Sequence, residues 1–295
     1  LINAVKHGAI GMIYNYGPIA NPNNAYREGF VYSHVGDQVV SDIFEGQKFS
    51  HQETLNKIKK DLQPQSFYTG KTVSIKNTTK HYPNGIGSNV IGFIEGSDPI
   101  LKEEVIILGA HLDHLGYCYE MMPGANDNAS GVAVMMEVAK ALKSSGIHLK
   151  RSILFISFGA EEQGIIGSKA YLENPVFPLD KTVGLINLDG VGVGDMLSAT
   201  AAKNFPELYK PLADANKKYV HRIISPSSFI NISRPRLDAA RFMKEGIPIV
   251  SFGAYGKGNE DLIGQELIIE ALKKARSSKK QWLEIKSLVM KMYIY

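Results

Sequence analysis

Cysteine is almost absent. The chain has one, Cys118, and a single thiol forms no intrachain disulfide and no cysteine metal cluster. Long apolar runs are missing too. None reaches the roughly 18 residues that read as a membrane span. A strong excess of one charge is also lacking, with a net of only +4. That balance is too small and too scattered to favour nucleic acid. Lys273, Lys274, Lys279 and Lys280 cluster near the end and read as a solvated helix face. There are no internal repeats and no low-complexity segments. No signal peptide is visible. The chain opens at Leu1, without Met, inside what reads as the middle of a helix–strand unit. A truncated N-terminus is therefore expected, and the missing leader excludes nothing.

What is present is an ordinary globular composition, 44% apolar and 21% charged over 295 residues. That suits a real core and one large domain, with room for part of another. Residues 1–65 read differently from the rest. "AVKHGAIGMIYNY" predicts a helix end, then Gly8, then a strand over 9–14. "SHQETLNKIKKDL" sets Leu55, Ile58 and Leu62 at helical spacing behind Ser50 or His51. "KTVSIKNTTK" alternates as a strand does.

From about residue 90 the pattern becomes regular. "EVIILGAH", "RSILFISF", "TVGLINL" and "IPIVSFG" are continuous apolar runs, as in strands buried on both faces. Helical segments alternate with them. In "SGVAVMMEVAKALKSSG", Val132, Met135, Met136, Ala139 and Leu142 form one stripe, closed by Gly146. Shorter helices are predicted in "QGIIGSKAYLEN", "ELYKPLADANKKY" and "DAARFMKEG", and a last one over 264–278. This alternation predicts an α/β sheet with helices on both faces.

Three of these strands run into polar clusters at their C-terminal ends. The first ends on "GAHLDHLG", with His111, Asp113 and His114. The second ends on Glu161 and Glu162, and the third on Asp189. A fourth cluster, "GANDNASG", carries Asp127 ahead of the long helix. Open α/β sheets bind ligands at this edge. Each cluster alone has a plain structural reading. The histidines can be hydrogen-bonded to the loop aspartate, "NDNAS" caps a helix, and Asp189 precedes a turn glycine.

Together they concentrate negative charge at one sheet mouth, which is costly without cations. A pair of divalent metals resolves that cost. Imidazole and carboxylate suit zinc, with cobalt and manganese as alternatives. One carboxylate bridges both ions, and another that is not a ligand takes the proton from water. The adjacent glutamates divide these tasks, since neighbouring strand-end residues point in different directions.

"GAHLDHLG", "GANDNASGVAVMMEVAKAL", "RSILFISFGAEEQGIIGSKAYLEN" and "INLDGVG" resemble the co-catalytic di-zinc aminopeptidase family. Its relatives include bacterial secreted aminopeptidases, glutamate carboxypeptidase and the catalytically silent transferrin receptor. The match runs from about Asn89 to Gly253. The resemblance implies a mixed, mostly parallel sheet with helices on both faces over residues 66–295. Residues 1–65 resemble the C-terminal part of a β-rich protease-associated domain.

Roles are implied at matching positions. His111 and Asp189 would bind the second zinc, Glu162 the first, and Asp127 both. The peptide bond after Asp127 is often cis in relatives. Glu161 would be the general base and Asp113 would orient His111. The implied substrates are peptides with a free N-terminus, and the implied location is secreted or periplasmic. Zinc would polarise the carbonyl, while Glu161 deprotonates the attacking water and protonates the leaving amine.

One feature departs from the family pattern. The family's last ligand is a histidine in the loop after the strand matching "IPIVSFG". Here that loop reads "GAYGKGNEDLIGQEL", as though about seven residues were removed after Asn259. A weakened first zinc site and low activity are therefore expected, with Glu260 or Asp261 as substitute oxygen ligands. His221, the only histidine after Asp189, is a remote substitute. The ending "SSKKQWLEIKSLVMKMYIY" matches no family element; a truncated or damaged reading frame would explain both ends. Two other readings stay open: a non-catalytic binding relative, and a single-zinc acyltransferase resembling glutaminyl cyclases.

Overall fold

The structure, a computed structural model, describes residues 2–15, 27–76, 78, 80, 82–117 and 121–256. Cys118, the lysine cluster, the predicted helix over 264–278, and Asn259, Glu260 and Asp261 lie outside them. The chain divides into two compact units, 1–85 and 86–295.

In the first unit, helix α1 (Ile2–Lys6) leads to strand β1 (Gly11–Tyr14). That strand pairs in parallel with β2 (Val31–His34). Helices α2 (Asp37–Phe44) and α3 (His51–Asp61) follow. A capping box opens α3: the Glu53 N–H donates to the Ser50 side chain, and the Ser50 N–H donates to the Glu53 carboxylate. The apolar face predicted for this helix is not buried, for Ile58 is 38% and Leu62 82% exposed. The strand predicted from Lys71 is absent as well. Alternation makes a strand only where a partner supplies the ladder, and none of the described strands pairs with residues 71–76.

The second unit is built on β3 (Val90–Ile94), β4 (Val105–His111), β7 (Ser152–Phe158), β8 (Thr182–Leu188), β9 (Met196–Thr200), β10 (Ile223–Pro226) and β11 (Ile249–Tyr255). Two short strands, β5 (Gly116–Tyr117) and β6 (Met121–Met122), form a separate antiparallel pair. The large sheet has the order β10-β9-β11-β8-β4-β7-β3. Four of its pairings are parallel; β3–β7 and β9–β11 are antiparallel. The sheet is thus mixed and mostly parallel. Strands β9 and β10 escape a sequence reading because they are short and half-exposed.

Side-chain alternation sends two cores to opposite faces. Leu108, Ala110, Phe155 and Ile186 pack with Met135, Val138 and Leu142 of α4 (Ser130–Ser144), and with Leu212 of α6 (Pro206–Ala215). Ile107, Leu154, Ile156, Phe158 and Leu185 pack with Tyr171 of α5 (Ile166–Glu173) and Phe242 of α7 (Asp238–Lys244). Helices therefore cover both faces. The buried stripe of α4 is Gly131, Met135, Val138 and Leu142. Met136, predicted to belong to it, is 65% exposed. One residue turns a helix by about 100°, enough to carry Met136 off the stripe. Among the described residues, no helix is long and apolar enough to cross a membrane.

The topology positions the site. Strands β4, β7 and β8 are parallel neighbours, so the chain leaves all three at one edge. Beneath that edge, Phe242 is fully buried and its ring centroid lies 5.8 Å from that of Phe158. Phe242→Ala is expected to cost about 3–5 kcal/mol, read as a lowered denaturant midpoint. A loss below about 1 kcal/mol would contradict this packing.

Candidate metal centre

Four segments meet at this edge. His111 is the last residue of β4 and is 1% exposed. The next amide continues the ladder, with Leu112 N–H donating to the Phe158 carbonyl at 2.7 Å. The His111 Nδ1 lies 2.9 Å from the Asp113 carbonyl. A carbonyl only accepts, so Nδ1 carries a hydrogen, and Nε2 is the nitrogen that faces the carboxylates: it donates to them while protonated and is the atom a metal would take. That Nε2 stands 3.0 Å from Asp127 Oδ1 and 3.6 Å from Asp189 Oδ1.

Asp127 comes from the turn over Ala125–Ala129, where it and Asn128 have non-helical backbone angles. The Asp127–Asn128 peptide is cis. Asn128 is buried and binds across to the end of β8. Its Nδ2 donates to the Leu188 carbonyl at 2.8 Å, and its Oδ1 accepts from Gly190 N–H at 3.0 Å. Ser130 and Asn126 extend this clamp, accepting from Val191 N–H and Gly192 N–H, each at 3.0 Å. Close approach requires Gly131: a Cβ there would lie 2.6 Å from the Leu188 carbonyl oxygen. The segment that reads as a helix cap in sequence thus fastens Asp127 beside Asp189.

The glutamate pair follows β7. Ala160 turns the chain there with a left-handed φ of 56°. The Asp113 carboxylate then accepts from both following amides, Glu161 N–H at 2.9 Å and Glu162 N–H at 3.1 Å. Asp113 meets His111 through its backbone carbonyl, while its carboxylate, 3.9 Å from Nδ1, holds the glutamate loop.

Glu162 Oε1 lies 2.7 Å from His114 Nδ1, which is in turn 4.0 Å from Asp127 Oδ2. Two groups of donors result, His111–Asp127–Asp189 and His114–Asp127–Glu162, and within each the donor atoms lie within 4.8 Å of one another. Asp127 belongs to both, with one oxygen toward each histidine. Glu161 belongs to neither.

A family model described as peptidase family M28 matches residues 89–280. The chain belongs to that family. Among curated relatives, an aminopeptidase of Bacillus subtilis is 35% identical over 142 residues, 48% of this chain and 28% of the relative. Leupeptin-inactivating enzyme 1 of Streptomyces exfoliatus is 31% identical over 164 residues, 55% of this chain and 35% of the relative. In fold, the chain is similar to an aminopeptidase from an Aneurinibacillus strain, with TM-score 0.56 and 23% identity, covering 98% of this chain and 64% of that one. This M28 chain therefore spans about a third or less of the length of those two curated relatives.

The charge balance of the site asks for a cation. Burial alone would lower the His111 pKa, but the hydrogen-bonding carboxylates of Asp127 and Asp189 overturn this and raise it to about 11. Burial likewise works to raise Asp127, and its bond to His111 reverses the effect and lowers it. Glu161 is pushed up to about 8, first by burial and then by Asp238, Asp189 and Glu162, against the opposing pull of His111. A divalent ion among these carboxylates supplies the charge that the imidazolium otherwise provides, and draws Glu161 back down. Nitrogen plus carboxylate oxygen in each group is a donor set that suits zinc.

Sequence reasoning missed Asn128 and Asp238. Asn128 sits in a motif that reads equally well as a cap. Asp238 is 1% exposed at the start of α7, with burial raising its carboxyl to about 6. Nothing in "DAARFMKEG" marks it as facing the site. Replacing Asn128 by Ala orphans the Gly190 N–H and the Leu188 carbonyl, so a loss of about 2–3 kcal/mol is expected. Equilibrium denaturation measures the loss, and faster hydrogen exchange at Gly190 locates it.

Proposed function

We propose that this chain carries the catalytic part of a zinc-dependent aminopeptidase, which hydrolyses the first peptide bond of substrates with a free N-terminus. The observation that carries the reading is the pair of donor groups sharing Asp127, with Glu161 beside them and outside both. His111, Asp127 and Asp189 would hold one zinc, and Asp127 and Glu162 the other. When bound, zinc polarises the scissile carbonyl and acidifies the attacking water. The name of the Bacillus subtilis relative and the family membership support this activity.

The residues divide the remaining work. Glu161 takes the proton of the attacking water and delivers it to the leaving amine. Asp113 positions Glu161 by accepting its backbone N–H, so that the base and the ligand Glu162 are held by one carboxylate. Asn128 keeps Asp127 against the end of β8. An exported enzyme, secreted or periplasmic, belongs to the same reading. So does assignment of residues 1–65 to the C-terminal part of a protease-associated domain. The separate compact unit over 1–85 supports a domain division in that region.

Glu161→Gln tests the assignment of the base. The variant is expected to retain zinc and to lose about 10²- to 10⁴-fold in turnover of aminoacyl-nitroanilides, the usual weight of a general base. Loss of zinc instead would mean that Glu161 is a ligand and that the roles of the two glutamates are exchanged.

A further inference from the structure

The family pattern takes the nitrogen ligand of the first zinc from a loop after β11, and the sequence has no histidine beyond His221. His221 is exposed and lies two residues before the start of β10. In the sheet order β10 stands three places from β8. Three strand spacings amount to about 14 Å, far beyond a metal–ligand bond of about 2 Å.

His114 is placed differently. Its Nδ1 is 2.7 Å from Glu162 Oε1 and 4.0 Å from Asp127 Oδ2, and among the described residues it is the nitrogen donor grouped with these two carboxylates. Nδ1 is buried, and with no other partner among the described residues its charge is balanced by the Glu162 carboxylate beside it. A buried ring nitrogen that converges with two carboxylate oxygens has the arrangement of a metal ligand. Tetrahedral zinc with bonds of about 2.0–2.2 Å sets its donors roughly 3.3–3.6 Å apart. The two observed separations bracket that range.

The surroundings hold His114 there. Asp113, its neighbour, is tied to the amides of Glu161 and Glu162, which fixes the loop relative to Glu162. On the other side, Gly124 opens the turn that carries Asp127, with a φ of +69°. A Cβ on Gly124 would lie 2.6 Å from the His114 Cβ. Only a glycine lets the His114 loop and the Asp127 turn come this close.

We infer that His114 is the nitrogen ligand of the first zinc site, in place of the histidine that the family pattern puts after β11. This rests on the zinc-peptidase reading above. Both metal sites are then complete within residues 111–189, each with one histidine, one further carboxylate and a share of Asp127. The weakened first site expected from the sequence is replaced by a full set of three protein ligands, the number usual for catalytic zinc.

The test uses the full 295-residue chain, stripped of metal and titrated with zinc against a competing chelator. The unaltered protein and His221→Ala are expected to bind two ions. His114→Ala is expected to keep one and to weaken the other by more than the 10- to 100-fold that loss of an outer partner costs. The ¹⁵N resonances of labelled histidine in the unaltered protein give a second readout that needs no variant. Nδ1 of His114 and Nε2 of His111 are expected to shift on zinc addition, and Nδ1 of His111 to stay protonated. Two ions bound at unaltered affinity by His114→Ala would overturn the inference and leave the zinc-peptidase reading standing. So would an unmoved His114 Nδ1, or a single ion bound regardless of His114. An unaltered chain that binds no zinc would overturn both.

Discussion

Like-charge repulsion at the carboxyl edge of the sheet is the constraint around which the second unit is arranged. Asp113, Asp127, Glu161, Glu162 and Asp189 meet there, with Asp238 buried in α7 close enough to raise Glu161. So many carboxylates in a half-buried site stay ionised only beside positive charge. Two histidines face them, and one of these is driven far above its ordinary pKa by its acidic neighbours. A site that forces imidazole to act as a cation in this way is built for ions with more charge than a proton supplies.

The rest of the edge keeps these groups in place against their repulsion. Backbone amides do much of this work. Asp113 accepts two of them, and the Asn126–Asn128–Ser130 set accepts from Gly190, Gly192 and Val191. Each bond fastens one loop to another, so Asp127 and Asp189 cannot relax apart without orphaning buried polar groups. Gly124 and Gly131 serve the same end by omission, since a methyl at either position would push these segments apart.

The adjacent glutamates are explained by this division. Both have their amides on Asp113, yet their side chains part. Glu162 reaches His114, whereas Glu161 stays outside the donor groups and takes a raised pKa from burial. A ligand wants full ionisation and a close cation; a base wants an affinity for protons near the working pH. In the proposed division of roles, two neighbouring residues at the end of one strand would meet both demands, the left-handed turn at Ala160 letting the chain change direction before them.

The sequence by itself determined the layer order and pointed to the strand ends where the polar clusters gather. Buried parallel strands write themselves as continuous apolar runs, and carboxylates straight after such runs have few structural uses. It also misplaced Met136 and predicted a strand from Lys71, because periodicity defines a face only to within a residue and says nothing of a partner strand. Tertiary structure alone decided which histidine stands with Glu162. His114 lies 48 positions before that glutamate, and only the parallel register of β4 and β7 brings the ends of the two strands side by side. The same holds for Asp113, whose carboxylate turned out to hold the glutamate loop, and for Asp238, which reaches the site from a separate helix. Such contacts depend on distances between chain segments, and local patterns of residue type carry no record of those distances.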